Sequence, residues 1–141
     1  MCGIIGITSY KPVSSAIINS LKKLEYRGYD SAGIATLSDG VINEVKSKGR
    51  VDNLEKNLAI KNMSGSVGIG HVRWATHGIP NTINAHPHSS DNVSIVHNGI
   101  IENSTILKKY LIGKGHVFKS QTDTEVIVHL ITEYLKKDSL K

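Results

Sequence analysis

Apolar residues recur along this chain in two rhythms, and the switches between them lay out a series of strands and helices. Ile4 to Ser9 reads as a strand, stopped by Lys11-Pro12. Ile17, Ile18, Leu21 and Leu24 then return at helical spacing on one face, with Ser14-Ser15 available as a cap. Gly33 to Leu37 and Val41 to Lys46 flank Ser38-Asp39-Gly40 and predict a hairpin. Asp52 can cap a helix reaching about Ile60. In Val67 to Trp74 small and apolar residues alternate with glycine, which suits a buried strand under close contact.

Ala75 to Asn92 is the longest stretch without apolar periodicity, and irregular stretches in compact domains tend to be functional. Val93 to Val96 predicts another strand. Asn103 or Ser104 starts a helix through Leu107 and Leu111, ended by Gly113 to Gly115. His116 to Lys119 reads as a brief strand. Thr122-Asp123-Thr124-Glu125 is a capping-box sequence ahead of a last helix carrying Val126, Ile127, Leu130, Ile131 and Tyr134. Mixed elements with consecutive hairpins predict a layered α+β domain.

Composition narrows the class. A chain of 141 residues, 39% hydrophobic and 21% charged, suits a single globular domain. The net charge of +5 comes from Lys22-Lys23, Lys46, Lys48 and Arg50, Lys108-Lys109 and Lys136-Lys137, which fall on separate elements. A nucleic-acid binder concentrates its cations and interleaves aromatics, yet aromatics are only 5% here, so no nucleic-acid partner is expected. No apolar run approaches a membrane span and no secretory signal is evident, so no membrane partner is expected either. A single cysteine excludes an internal disulfide framework and points to a reducing, cytoplasmic setting.

That cysteine is Cys2, directly behind Met1. Loss of Met1 would place a thiol and a free α-amine on one residue, an activated nucleophile of the N-terminal kind. The plain alternative is a small buried apolar side chain. Four further segments combine polar residues with glycine at strand ends or in loops: Arg27 to Gly33, Gly70 to Gly78, Asn84 to His88 and His97 to Asn103. Ser120 to Glu125 adds a fifth.

With Cys2-Gly3-Ile4, these segments resemble the glutaminase domain of the class II glutamine amidotransferases. Tyr26 to Ser31, Arg73 to Gly78 and Asn84 to His88 resemble its glutamine–fructose-6-phosphate aminotransferase branch. The resemblance implies a four-layer αββα sandwich of the N-terminal-nucleophile type. It implies that Cys2 attacks the carboxamide of glutamine, giving a γ-glutamyl thioester and ammonia, after which water releases glutamate. Asn98, through its side-chain amide, and Gly99, through its backbone N–H, would stabilise the oxyanion. A type I′ turn between two strands is the alternative for that pair.

Arg73 would clamp the carboxylate of glutamine and Asp123 its amine. Asp123 could instead be a first-turn acid on a helix. Trp74, Thr76, His77 and Gly78 resemble the flap that covers glutamine, with Trp74 as a core anchor the alternative. Arg27 resembles the residue that orders the nucleophile, against a surface salt bridge. His71, His77, His86, His88 and His97 lack a metal-ligand pattern, so neither a metal nor a cofactor is expected.

The family's domain continues well beyond a helix like Thr122 to Leu135. Residues 1–141 are therefore expected to be a partial glutaminase domain, incomplete at its C-terminal end and without the sugar-phosphate isomerase domains. A complementary chain, or self-association through uncovered strands, would follow. A non-catalytic glutamine-binding remnant is the competing reading.

Overall fold

The computed structural model describes residues 1–58, 63–76, 78–90 and 92–138. The glycine-rich segment becomes β4 (Val67–Arg73), an interior strand of the main sheet. It lies between β1 (Gly3–Thr8) and β2 (Ser31–Ser38), and β3 (Val41–Lys48) pairs with the far side of β2, all antiparallel. Asp39 and Gly40 close the β2–β3 hairpin at φ 50° and 77°, the left-handed pair that a two-residue I′ turn requires.

Strand side chains alternate between faces, so Ile5, Ile34, Val45 and Val72 share one side of this sheet. Against it α1 (Ser14–Leu24) and α2 (Val51–Leu58) bury Ile17, Ile18, Leu21, Val51 and Leu54. The glycines of β4 make this contact possible. A Cβ on Gly70 would come within 2.5 Å of Ile17 Cγ2, and one on Gly68 within 2.8 Å of Ile17 Cδ1.

The opposite face carries Gly33, Glu44, Lys46, His71 and Arg73. A two-stranded ribbon, β5 (His88–Ser90) with β6 (Val93–Ile95), lies on that side. Lys46 Nζ donates to the Pro87 carbonyl at 3.1 Å, and Ser89 Oγ to Glu44 at 2.6 Å. The His86 carbonyl fills the space where any residue but glycine at position 33 would put its Cβ. α4 (Glu125–Asp138) packs on β5 and β6, and α3 (Ser104–Gly113) packs on α4.

Several local expectations are corrected by long-range contacts. Ser14 and Ser15 lie inside α1, and Val13 holds the cap position without a side-chain bond, because Val13 is buried in the core with its N–H on Gly65. The predicted continuation of α2 to Ile60 lies outside the described residues. Within the aperiodic 75–92 stretch His88–Ser90 forms a strand, too short to show a period.

His116 to Lys119 is not a strand. His116 instead meets His129 at 3.1 Å and Glu133 at 3.2 Å, both on α4. The expected capping box does not form either. The Glu125 carboxylate accepts from the N–H groups of Lys119 and Ser120 and from Ser120 Oγ, while the Thr122 N–H turns to Ser120 Oγ. Burial pushes the Glu125 carboxyl up, but these donors outweigh it and hold it below the ordinary carboxylate value. The end of α3 follows the sequence signal: Gly115 at φ 89° and His116 bond back to Ile112 and Leu111 in a Schellman pattern.

Among the described residues no helix is long and apolar enough to cross a membrane.

Candidate active site

Pairing β1 against β4 sets Gly3 opposite Val72, which brings the preceding Cys2 to the end of β4. The Trp74 N–H donates to Cys2 Sγ at 3.2 Å, and the thiol lies 3.5 Å from the Trp74 carbonyl. Two donors grip the Cys2 carbonyl at 3.1 Å each: Arg27 Nε and Asn98 Nδ2. Cys2 is half-buried at the edge of a cleft of about 330 Å³ that Arg73, Thr76, Gly99 and Asp123 also line.

Arg27 reaches this place from a 3₁₀ turn (Glu25–Arg27) after α1. Gly28 then allows the chain to pass directly over the end of β4, since a Cβ there would lie 2.6 Å from the Arg73 carbonyl carbon. The surface salt bridge considered for Arg27 is not formed among the described residues; it bonds the Cys2 carbonyl and lies 3.8 Å from Met1 Sδ.

Arg73 is buried, 3% exposed, and donates to the Gly78 carbonyl at 3.2 Å, tying the base of its own loop. Trp74 is 49% exposed, so it is no core anchor; its ring meets Tyr29 edge-on at 5.7 Å. Thr76 is exposed on the cleft and Gly78 turns the loop at φ 78°. His77 lies outside the described residues.

The Asn98–Gly99 pair does not close a hairpin. β6 ends at Ile95 and pairs with β5, leaving 97–101 as a loop that crosses to Cys2. Gly99 sits at φ 155°, and a Cβ there would come within 2.8 Å of His97 Nε2, so glycine is required. Asp123 precedes α4 by two residues and is no first-turn acid. Its Oδ2 accepts the Ile101 N–H at 2.6 Å, joining the start of α4 to the Asn98 loop.

Sequence reasoning gave no role to several residues that build this site. Asp30 accepts from the Ser31 hydroxyl and the Ala75 N–H, holding the turn beyond Trp74. Its place inside the Arg27–Gly33 motif was the available signal. His71 Nε2 donates to Asn98 Oδ1, 3.0 Å away, and His97 meets Thr124 at 3.2 Å. His86 stacks on His71 at 4.3 Å and meets His88 edge-on at 4.7 Å. Burial pushes His71 down to about 4 and His88 down to about 3, and pushes His86 far below the ordinary histidine range.

Acid is therefore expected to unfold the chain early. These imidazoles are neutral when folded and ionise near pH ~6.5 once exposed. Below that pH the unfolded chain binds more protons, so stability falls as pH drops from about 6.5 towards the lowered values of His71 and His88. Three such groups give a slope of up to ~4 kcal/mol per pH unit, against a total stability of ~5–15 kcal/mol for an ordinary domain. Urea titrations at several pH values check this. A stability that stays flat between about pH 6.5 and 5 would show the three rings to be exposed or charged in the folded chain.

The family description "Glutamine amidotransferase domain" matches residues 56–140. The chain belongs to the glutamine amidotransferase family. It is 53% identical over 137 residues to the glutamine–fructose-6-phosphate aminotransferase (isomerizing) of Mesorhizobium japonicum, covering 97% of this chain and 23% of that protein. The enzymes of the same name from Pyrococcus horikoshii and Clostridium acetobutylicum are 56% and 55% identical, over 96% and 99% of this chain and 23% of each relative. This amidotransferase chain thus spans about a quarter of the length of the curated relatives it matches.

Among solved structures, it is similar to the glutamine phosphoribosylpyrophosphate amidotransferase from B. subtilis complexed with ADP and GMP. The TM-score is 0.76 at 31% identity, covering 94% of this chain and 29% of that one. A structure of the allosteric regulatory enzyme of purine biosynthesis gives 0.78 at 32%, with the same coverage.

Proposed function

We propose that this chain carries a glutaminase site in which Cys2, freed by loss of Met1, opens the carboxamide of glutamine. The single observation behind this reading is the meeting of Cys2 Sγ, the Trp74 turn and the Asn98 carboxamide at one end of a cleft. The thiol proton passes to the α-amine of Cys2 as sulfur bonds the carboxamide carbon. Collapse of the tetrahedral adduct breaks the C–N bond, and the amine hands its proton to the departing ammonia. Water then adds to the γ-glutamyl thioester, breaks the C–S bond and restores the thiol, releasing glutamate.

Asn98 and Gly99 serve as donors to the oxyanion, Arg27 orders the nucleophile, and Arg73 and Asp123 bind the carboxylate and amine of glutamine. Trp74 and Thr76, on the loop that Gly78 turns, form the wall over the substrate. No step needs a metal or a cofactor. The test is a glutamine-like diazoketone, offered to chain shown by mass spectrometry to lack Met1. The expected result is one adduct, at Cys2. An adduct elsewhere, or none in a folded sample, would leave only a glutamine-binding remnant.

The layering suits an αββα sandwich that this chain fills only in part. Ile4, Leu37 and Val67 are 40–44% exposed on the sheet face away from α1. Ile131 and Tyr134 on α4 are exposed as well. β1 and β3 each pair on one side only among the described residues. Open edges and bare apolar faces are templates for further strands. The chain expressed alone is therefore expected to self-associate or to be poorly soluble, and to be rescued by co-expression with a polypeptide carrying the remaining strands. Sedimentation decides. A monodisperse monomer with one cooperative unfolding transition of ordinary stability would mean that the chain closes its own core.

A further inference from the structure

A carboxamide has two ends of nearly equal size and opposite hydrogen-bonding character. At Asn98 this matters, because the NH₂ end stabilises an oxyanion and the C=O end repels one. Asn98 sits in a loop, so its own backbone does little to select between them. The selection comes from β4. Asn98 Oδ1 lies 3.0 Å from Nε2 of His71, while Nδ2 lies 3.1 Å from the Cys2 carbonyl. Oδ1 can only accept, so Nε2 must carry the proton of a neutral imidazole.

His71 is itself immobile. It is 0% exposed, on a strand paired on both sides, with Gly33 and Ile4 as its cross-strand neighbours. The His86 ring lies against it at 4.3 Å and 21° from parallel, a plate that prevents ring rotation. Both His86 ring nitrogens are buried without a hydrogen-bond partner, so that ring serves here by its flat face.

We propose that His71 is a positioning residue whose Nε2–H holds the Asn98 carboxamide in one orientation, with Oδ1 turned back to β4 and Nδ2 turned toward Cys2. This role presupposes that Asn98 donates to the reacting group, as in the glutaminase reading.

The test uses Met1-free chain, with the complementary polypeptide where solubility requires it, and follows Cys2 labelling by the diazoketone. His71→Phe keeps the stacked ring but removes the donor. It should slow the maximal labelling rate by about 10–100-fold, less than the ~10²–10³-fold expected for loss of Asn98 itself, with half-saturation changed less than ~3-fold. His71→Gln, which restores an N–H donor, should recover most of that loss.

Nitrogen-15 spectra of the wild type should show His71 protonated at Nε2, and His71→Phe should change the Asn98 side-chain amide signals. Equal labelling rates in His71→Phe and wild type, or a His71 ring protonated only at Nδ1, would overturn the assignment. If wild type takes no label, the glutaminase reading fails instead. The two sets of spectra then decide the orientation of Asn98 on their own.

Discussion

Replacing Cys2 by serine is expected to lower glutamine turnover by about 10³-fold or more while glutamine binding stays within about threefold. The two side chains differ little in size, and Cys2 is half-buried where Ser Oγ can still receive the Trp74 N–H. The fold should therefore survive. On the proposed glutaminase reading the substitution removes the nucleophile: a hydroxyl gives up its proton far less readily than a thiol and is a weaker attacking group near neutral pH. Arg27 and Asn98 bond the Cys2 backbone carbonyl, not its side chain, so the frame around the substrate stays in place. Turnover by ammonia release and glutamine affinity by calorimetry, both on Met1-free protein, separate the two effects. Serine variants that retain turnover would place the reaction at another residue. A parallel loss of binding would show that the substitution had damaged the cleft.

Asn98→Ala should lower kcat by about 10²–10³-fold with KM little changed, because an oxyanion donor acts only when charge develops on the carboxamide oxygen. Arg73→Ala is the contrasting control. Its contact to a carboxylate would exist equally in the ground and transition states, so KM should rise while kcat holds. The bond from Asn98 Nδ2 to the Cys2 carbonyl gives a competing, purely architectural account of Asn98. An unchanged kcat in Asn98→Ala, with Cys2 still labelled, would favour that account. The hairpin-turn alternative has already gone, since β6 takes β5 as its partner and the 97–101 loop crosses to Cys2.

Local signals carried much of the architecture. The spacing of Ile17, Ile18, Leu21 and Leu24 placed α1, because a helix needs one apolar stripe wherever it docks. Asp39-Gly40 placed the β2–β3 hairpin, because few other residues tolerate positive φ at both turn positions. Gly115 ended α3 for the same reason. The motif residues came from resemblance, and Cys2, Arg27, Asn98, Gly99 and Asp123 do line one cleft.

Other features depended on groups far away in the chain. Glu125 makes no capping box because the Lys119 and Ser120 N–H groups and the Ser120 hydroxyl claim its carboxylate. His116 to Lys119 forms no strand; the His116 N–H closes the end of α3 on the Leu111 carbonyl and the Lys119 N–H goes to the Glu125 carboxylate, so neither is given to a neighbouring strand. The side chains that mark α4 as apolar are also not all buried: Ile131 and Tyr134 face out, while His129 and Thr132 are buried.

The sequence by itself determined what each segment can be: a terminal thiol, a turn, a stripe, a donor amide. Those properties reside in single residues and in spacings of a few positions. Only the tertiary structure decided which of them meet. Cys2 lies 72 residues from Trp74 and 96 from Asn98, and their contact depends on β1 choosing β4 in one register and on β6 handing its loop back across the sheet. The His71–Asn98–Cys2 chain was likewise invisible in the sequence, because a buried side chain takes its hydrogen-bond partners from the packing of the whole fold.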